Sequence, residues 1–446
     1  MKNLKKTILF TVLVIGFVLC ASTLQAQDLL IKNGTILTVS RGTILNGDIL
    51  VMDGNIKKIG QNIQAPEKVK IIDATGKFVM PGIIDSHSHI GLSGTNESGE
   101  TISADVKMGD VLNAEDTSIY TAITGGVTMT HTMHGSGNPI GGENIVIKTK
   151  WGKTSEEMVV HEAYRTLKFA LGENPKQANR QRQATTIRYP QSRMGVNAII
   201  RREFLKAHNY MEQWDRYEKA KRSLKGSNTL IPPRKDLKME ALADMLRGDM
   251  YARCHTYRAD ETLEFIKLSK EFGFKIICFE HAWEAYKLAK EIAAENIGIS
   301  IFADNWAYKV EAAEGTAYNA GYCTKQGVLV SINSDSGERI RRLFNDAAKA
   351  MKYGGLTEDE ALKLVTINPA IQLGVDKIVG SLEVEKHADI AIFNEHPMSA
   401  YTRCDMTIIE GEVYFDRAQY LKKQEEMAKK KKEKDKESQK KKGEPE

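Results

Sequence analysis

Cysteine is scarce: five residues in 446, four of them (Cys254, Cys278, Cys323 and Cys404) in the body of the chain. Four scattered thiols in a chain of this length are not a disulfide framework, and without a Cys-x-x-Cys pair they do not form a thiolate zinc site. They read as buried free thiols. Proline (10) and aromatic residues (7%) are also sparse, so no proline-rich segment interrupts the body. Beyond Cys20 no apolar run approaches the ~20 residues of a membrane helix, which excludes a polytopic membrane protein. An excess of one charge is missing as well. The 63 basic and 58 acidic side chains give +5, but the first 26 residues carry +3 and the last 26 carry +4, so the body between them carries −2. That body offers no reason to expect a nucleic-acid partner. The glycine-rich stretch GSGNPIGGEN (135–144) lacks the Gly-Lys-Ser/Thr ending of a phosphate loop and reads as a turn. No long internal repeat is evident. What remains, 41% hydrophobic and 27% charged, is ordinary globular composition, long enough for a large barrel or two domains.

The two ends differ from the body. Residues 1–26 read as a secretory signal: Lys2, Lys5 and Lys6, then an apolar run from Ile8 to Cys20, then a small-residue cleavage point at Ala26. The chain is therefore expected to be exported, to the periplasm or the cell surface. Lipidation of Cys20 is disfavoured by Leu19, which precedes it. Residues 419–446 are Lys-rich and almost devoid of apolar side chains, so they predict a disordered, solvated tail or a frayed helix. Weak attraction to an anionic lipid or polymer surface is the one partner such a tail suggests.

Within the body, short alternating runs fill residues 27–80, with Asn33-Gly34 and Asp53-Gly54 as tight-turn dipeptides. A matching set lies at 374–418. Neither piece closes a core alone, so both termini are expected to build one composite β-sandwich. Between them, at 81–373, apolar runs alternate with helical stretches: GFKIICFEH, AWEAYKLAKEIAAEN, IGISIFADN, VLVSINSD. That rhythm predicts an α/β fold with a parallel sheet, and the length suits a (β/α)8 TIM barrel. Residues 176–238 break the rhythm. They are polar and Arg-rich (Arg180, Arg182, Arg188, Arg193, Arg201, Arg202), with one long helix near 194–225, and read as an insertion over the barrel mouth.

The sharpest chemical signal is MPGIIDSHSHI (80–90), an apolar strand ending in His87-x-His89. Alternate residues on a strand share a face, so both imidazoles can meet one metal. His255 ends MYARCH, His281 ends KIICFEH and Asp335 ends VLVSINSD. A lone histidine at such a place is more often a satisfied core residue. Four at the ends of successive strands, with an aspartate, point instead to a divalent cation, zinc first, at the barrel face where active sites are built. A divalent metal lowers the pKa of a bound water and polarises a carbonyl. Asp335 is then the candidate general base, and His281 the candidate hydrogen-bond partner of the carbonyl oxygen. His131 and His134 are read either as substrate contacts or as packing residues, and His161, His208, His387 and His396 receive no role.

These residues resemble the amidohydrolase superfamily over nearly the whole chain before the tail. The resemblance rests on DATGKFVMPGIIDSHSHIG, LVSINSD, LVTINPAIQLGV and VGSLEVEKHADIAIFN. GGVTMTHTMHGSGNPIGGENIVIK, LKFALGENPK, PQSRMG and CHTYRADETLEFIKLSKEFGFK narrow it to the imidazolonepropionase-related, prolidase-like branch. It implies a metal-dependent (β/α)8 barrel with a composite β-sandwich, hydrolysing C–N bonds with one or two metals. The ligand pattern falls on His87, His89, His255, His281 and Asp335. A carbamylated lysine bridging two metals falls on Lys168; a glutamate completing a single-metal site falls on Glu173. Tyr257, Arg258, Arg193, Asp304 and Trp306 are candidate substrate contacts, with surface ion pairing as the plainer reading of the charged ones; Lys309 reads as a local ion pair. The function expected is an exported hydrolase of a small amide, such as a cyclic amide or an N-acyl amino acid. A prolidase-like dipeptidase and a catalytically silent periplasmic binding protein are the alternatives. Oligomeric state is left open.

Overall fold

The computed structural model describes residues 28–176, 188–223, 230–305 and 307–442. The leader with its cleavage point at Ala26, Arg180 and Arg182 of the insertion, and Trp306 lie outside the described residues. In chain order the strands are β1 (Leu29–Leu37), β2 (Thr43–Met52), β3 (Asn55–Gly60), β4 (Lys70–Asp73), β5 (Phe78–Pro81), β6 (Ile83–Ser88), β7 (Val127–Thr132), β8 (Ile140–Glu143) and β9 (Ile145–Lys148). There follow β10 (Thr166–Ala170), β11 (Tyr251–Thr256), β12 (Ile276–His281), β13 (Gly298–Ile301), β14 (Val330–Ile332), β15 (Ile390–Phe393), β16 (Cys404–Ile409) and β17 (Glu412–Asp416).

Both ends of the chain enter one eight-stranded sheet, in the order β17-β16-β15-β5-β1-β2-β3, with β4 beside β1. β5 makes the junction: it runs parallel to β1 and antiparallel to β15. Leu29, Ile31, Ile36, Ile49, Val51, Ile390, Ile392 and Ile408 fill a common core. The two turn dipeptides have different fates. Asp53 and Gly54, both at positive φ, turn β2 into β3. Asn33-Gly34 is not a turn. It is an irregularity inside β1, where Asn33 takes φ +61° and its N–H donates to Asp48 Oδ1 at 3.0 Å. The disturbance divides β1, so its first half pairs with β4 and its second half with β5.

Seven strands of the middle segment are parallel to a neighbour: β6 with β7, and β10 through β14 in succession. The expected ring of eight parallel strands is not what the ladders draw. β9 runs antiparallel to β7 and β8 antiparallel to β10, leaving two sheet pieces. The sequence there is rich in glycine, and Asn144 replaces ladder bonds with side-chain ones: its Oδ1 accepts from the His134 N–H (3.0 Å) and its Nδ2 donates to Thr166 Oγ1 (3.0 Å). On the other flank β14 meets β6 through the Asp335 N–H to His87 O (3.1 Å) and through Asp85, whose carboxylate accepts from the Ser334 N–H (3.2 Å) and hydroxyl (2.5 Å).

The long helix of the insertion lies elsewhere than over the mouth. This helix, Arg193–Ser223, buries Val196, Ile199, Ile200, Phe204 and Ala207 at three- and four-residue spacing. Phe204 stacks on Phe169 of β10 (6.2 Å) and on Phe274 before β12 (4.4 Å), so the helix lies along the flank of these strands. The Lys-rich end is drawn as a helix, Arg417–Lys442, whose Lys, Glu, Gln, Met and Ala residues are all good helix formers. No helix among the described residues is long and apolar enough to cross a membrane.

Candidate metal centre

Parallel strands bring their C-terminal ends to one face, and β6, β11, β12 and the segment after β14 deliver His87, His89, His255, His281 and Asp335 there. His87 and His89 present the same nitrogen inward. The Nδ1 of His87 bonds Glu280 Oε2 (3.0 Å) and the Nδ1 of His89 donates to Met133 O (2.7 Å). Their Nε2 atoms then face Asp335 Oδ1, at 3.9 Å and 3.0 Å. His281 Nε2 lies 4.0 Å from the other Asp335 oxygen. The His281 ring is 4.8 Å from the His87 ring and 4.8 Å from the His255 ring. One ligand atom each from His87, His89 and Asp335 falls within a 4.8 Å group.

Backbone strain accompanies this convergence. His281 (φ +67°), Ala282 (φ +35°) and Asp335 (φ +46°) are all left-handed, a conformation that costs a non-glycine residue about 1–3 kcal/mol. The reason is visible at β12. Consecutive strand residues point to opposite sides, yet Glu280 and His281 both contact His87. The turn in φ at His281 makes that possible.

The donor set fits a divalent cation. His255 is buried, and neither of its ring nitrogens has a hydrogen-bond partner; His281 Nδ1 has none either. Buried polar atoms are nearly always satisfied, so three orphaned nitrogens on two adjoining imidazole rings mark a place for a ligand. Burial holds His255 and His281 well below their ordinary values; burial and the Lys168 ammonium bring His87 to about 4. Neutral imidazoles are what a metal needs. Burial alone would raise the Asp335 carboxyl, but the His89 hydrogen bond and the surrounding imidazoles outweigh it and keep it ionised.

Lys168 is not a solvated edge residue. It is fully buried, its Nζ lies 3.3 Å from His87 Nε2, and burial lowers it to about 8. Glu173 does not join the histidines. It lies in the loop past β10, where its carboxylate faces Lys309 Nζ at 3.6 Å.

The substrate candidates scatter. Tyr257 packs against His255 (4.6 Å) and His281 (5.5 Å), with Lys309 Nζ 4.2 Å above its ring. Arg193 is engaged by Glu261 and Glu311, each at 3.1 Å. Arg258 is tied to Asp260 by two bonds of 3.0 and 2.9 Å, because the two residues share a helix start. Asp304 belongs to an ion cluster with Arg339, Lys349 and Asp346. Arg258 is thus held by a neighbour two residues on, and Asp304 by residues 35 and 45 positions away. His131 donates to or accepts from Thr166 Oγ1, and His134 accepts from the Glu97 N–H, so both hold the fold.

Three buried residues escaped the sequence reading: Asp85, Arg253 and Glu280. Each is an ionisable residue inside an apolar strand, two positions before or one before a candidate ligand. That pattern was the available signal, since such a group must be paired when buried.

The amidohydrolase family model matches residues 234–415. A solved amidohydrolase from Thermotoga maritima superposes with a TM-score of 0.79 at 35% identity, covering 87% of this chain and 100% of that one. The amidohydrolase tasK of Hapsidospora irregularis is 32% identical over 412 residues, 86% of this chain; the chain spans 41% of that relative's length. A prolidase solved with N-methylphosphonate-L-proline shares the fold, with a TM-score of 0.52 and 13% identity over 87% of this chain and 100% of that one.

Proposed function

The chain belongs to the amidohydrolase family, and on that premise we propose that it is a metal-dependent hydrolase of a C–N bond in a small amide, either a cyclic amide or an N-acyl amino acid. The observation that carries this reading is the convergence of the Nε2 atoms of His87, His89 and His281 on the Asp335 carboxylate, beside a buried His255 ring whose two nitrogens have no partner. In this reading the two sheet pieces form one eightfold barrel, with the antiparallel β8 and β9 in place of the third strand.

His87, His89 and Asp335 would hold one zinc, and His255 with His281 a second, with Lys168 between them. Lys168 would be carbamylated: its neutral amine adds to carbon dioxide and releases a proton, and its burial favours that neutral form. Bound zinc supplies electrophilic polarisation of the water and of the scissile carbonyl. The residues do the rest. Asp335 Oδ takes the water's proton and passes it to the leaving nitrogen. In the single-metal arrangement, with His281 off the metal, its N–H would donate to the carbonyl oxygen as negative charge develops there. Tyr257 walls one side of the site. Export, read from residues 1–26, remains part of this proposal.

The test is metal per chain by elemental mass spectrometry on untagged protein purified without chelator. Two equivalents, with carbon dioxide dependence, support the bridged site at Lys168. One equivalent removes the bridge and leaves a single-metal hydrolase. A tenth or less, even after zinc is added, overturns the hydrolase reading in favour of a silent binding protein.

A further inference from the structure

Below the candidate ligands a fully buried ion pair connects three strands. Glu280 of β12 places Oε2 3.0 Å from His87 Nδ1 and Oε1 2.6 Å from Arg253 Nε. The remaining nitrogens of Arg253, on β11, reach Ser86 O at 3.1 Å and Gln372 O at 3.5 Å. None of the Arg253, Glu280 or His87 side chains is exposed to solvent. A strand interior in such a fold is ordinarily filled by Val, Ile and Leu. A buried pair also gives no net stability over apolar packing of the same volume. The position of this pair has a more specific consequence.

We infer that Glu280 and Arg253 are positioning residues that hold His87 in the tautomer able to bind metal. The inference rests on the metal-dependent reading above. A carboxylate only accepts, so His87 Nδ1 must carry the ring proton and Nε2 must present its lone pair. Lys168 Nζ, 3.3 Å from that Nε2, can donate to the same lone pair. Arg253 in turn fixes the rotation of Glu280. It offers only donors, so it keeps one carboxylate oxygen and leaves the other to His87. A carboxylate behind an imidazole ligand generally raises metal affinity by about 10- to 100-fold.

The pair makes a distinctive prediction for Glu280→Gln. An amide has one accepting end and one donating end. Arg253 takes the oxygen, so the NH2 group turns to His87 Nδ1, and the ring proton moves to Nε2, where it blocks the metal. Removing the guanidinium as well, in Glu280→Gln with Arg253→Met, frees the amide to rotate, and its oxygen again accepts from Nδ1–H. A merely structural role predicts that the double variant is worse than the single one.

The experiment measures zinc affinity by chelator competition, and the His87 ring nitrogens by 15N NMR in metal-free protein. The expected results are an Nδ1–H tautomer in the parent, an Nε2–H tautomer in E280Q with zinc bound about 10- to 100-fold more weakly, and recovery of both in the double variant. Zinc affinity in E280Q within about threefold of the parent, against that 10- to 100-fold expectation, overturns the inference. So does an Nε2–H tautomer in the parent, which decides the matter even if no variant folds. A parent that binds no zinc removes the metal reading and this one together. A parent that binds zinc beside an unaffected E280Q removes this inference alone.

Discussion

Asp335 is where the residue scale matters most, because its two oxygens face different histidines. One lies 3.0 Å from His89 Nε2 and the other 4.0 Å from His281 Nε2. Its side chain is 29% exposed, so it meets solvent while the neighbouring His87 does not. Asp335→Ala should lower kcat by at least about a thousandfold, the scale of a lost general base, while the imidazoles keep most of the metal. Assaying turnover and metal content on the same sample checks this. Unchanged turnover would remove Asp335 from the mechanism. His87, His89, His255, His281 and Asp335 could all be named from the sequence, because each ends an apolar run. Glu280 and Arg253 could not be assigned a role, since nothing in a one-dimensional pattern says that a charge on one strand meets a charge on the next.

At the scale of elements, the long helix Arg193–Ser223 is the clearest divergence between expectation and structure. Its polarity suggested a cover for the mouth. Its apolar stripe instead docks on Phe169 and Phe274 along the flank of the strands, and only Arg193 at its start reaches the carboxylates of Glu261 and Glu311. Phe204→Ala should therefore cost about 3–5 kcal/mol of stability in urea denaturation, with KM changed less than about twofold, because the site does not touch this ring. A large rise in KM at unchanged stability would put the helix back over the mouth. The strand-helix rhythm was legible because apolar runs are what parallel strands require. The failure of that rhythm at β8 and β9 was not, since strands of four residues, one of them with two glycines, take their direction from their partners.

At the scale of the molecule, the composite sheet is fastened to the adjoining strands by a cluster of charges. Lys148 at the end of β9 is buried and bonds Asp389 (3.0 Å) and Glu410 (2.8 Å); Lys150 takes the other oxygen of Glu410 at 2.7 Å. Burial alone would raise the Glu410 carboxyl, but the two lysines bring it down from 4.5 to about 2. The folded state thus loses this proton more readily than the unfolded chain. The contribution is complete above about pH 4.5 and disappears as the pH falls through 2. Glu410→Gln should lower stability at pH 7 and have little effect near pH 2, as read by denaturation across that range. An equal loss at both ends would mean that packing, and not charge, holds the junction.

The sequence by itself determined the α/β class, the composite sheet from both termini and the candidate ligands, because periodicity, strand-end position and residue chemistry are local properties. It also pointed to the amidohydrolase family. Tertiary structure alone decided the rest. It placed Lys168 beside His87 and Glu173 away from it, engaged Arg193 with the carboxylates of Glu261 and Glu311, laid the insertion helix on the flank, and joined Arg253 to Glu280 behind a ligand. The physical reason is common to all of these. Each depends on which of several possible partners a side chain meets across strands or loops, and that choice is made by burial and distance between segments far apart in the chain.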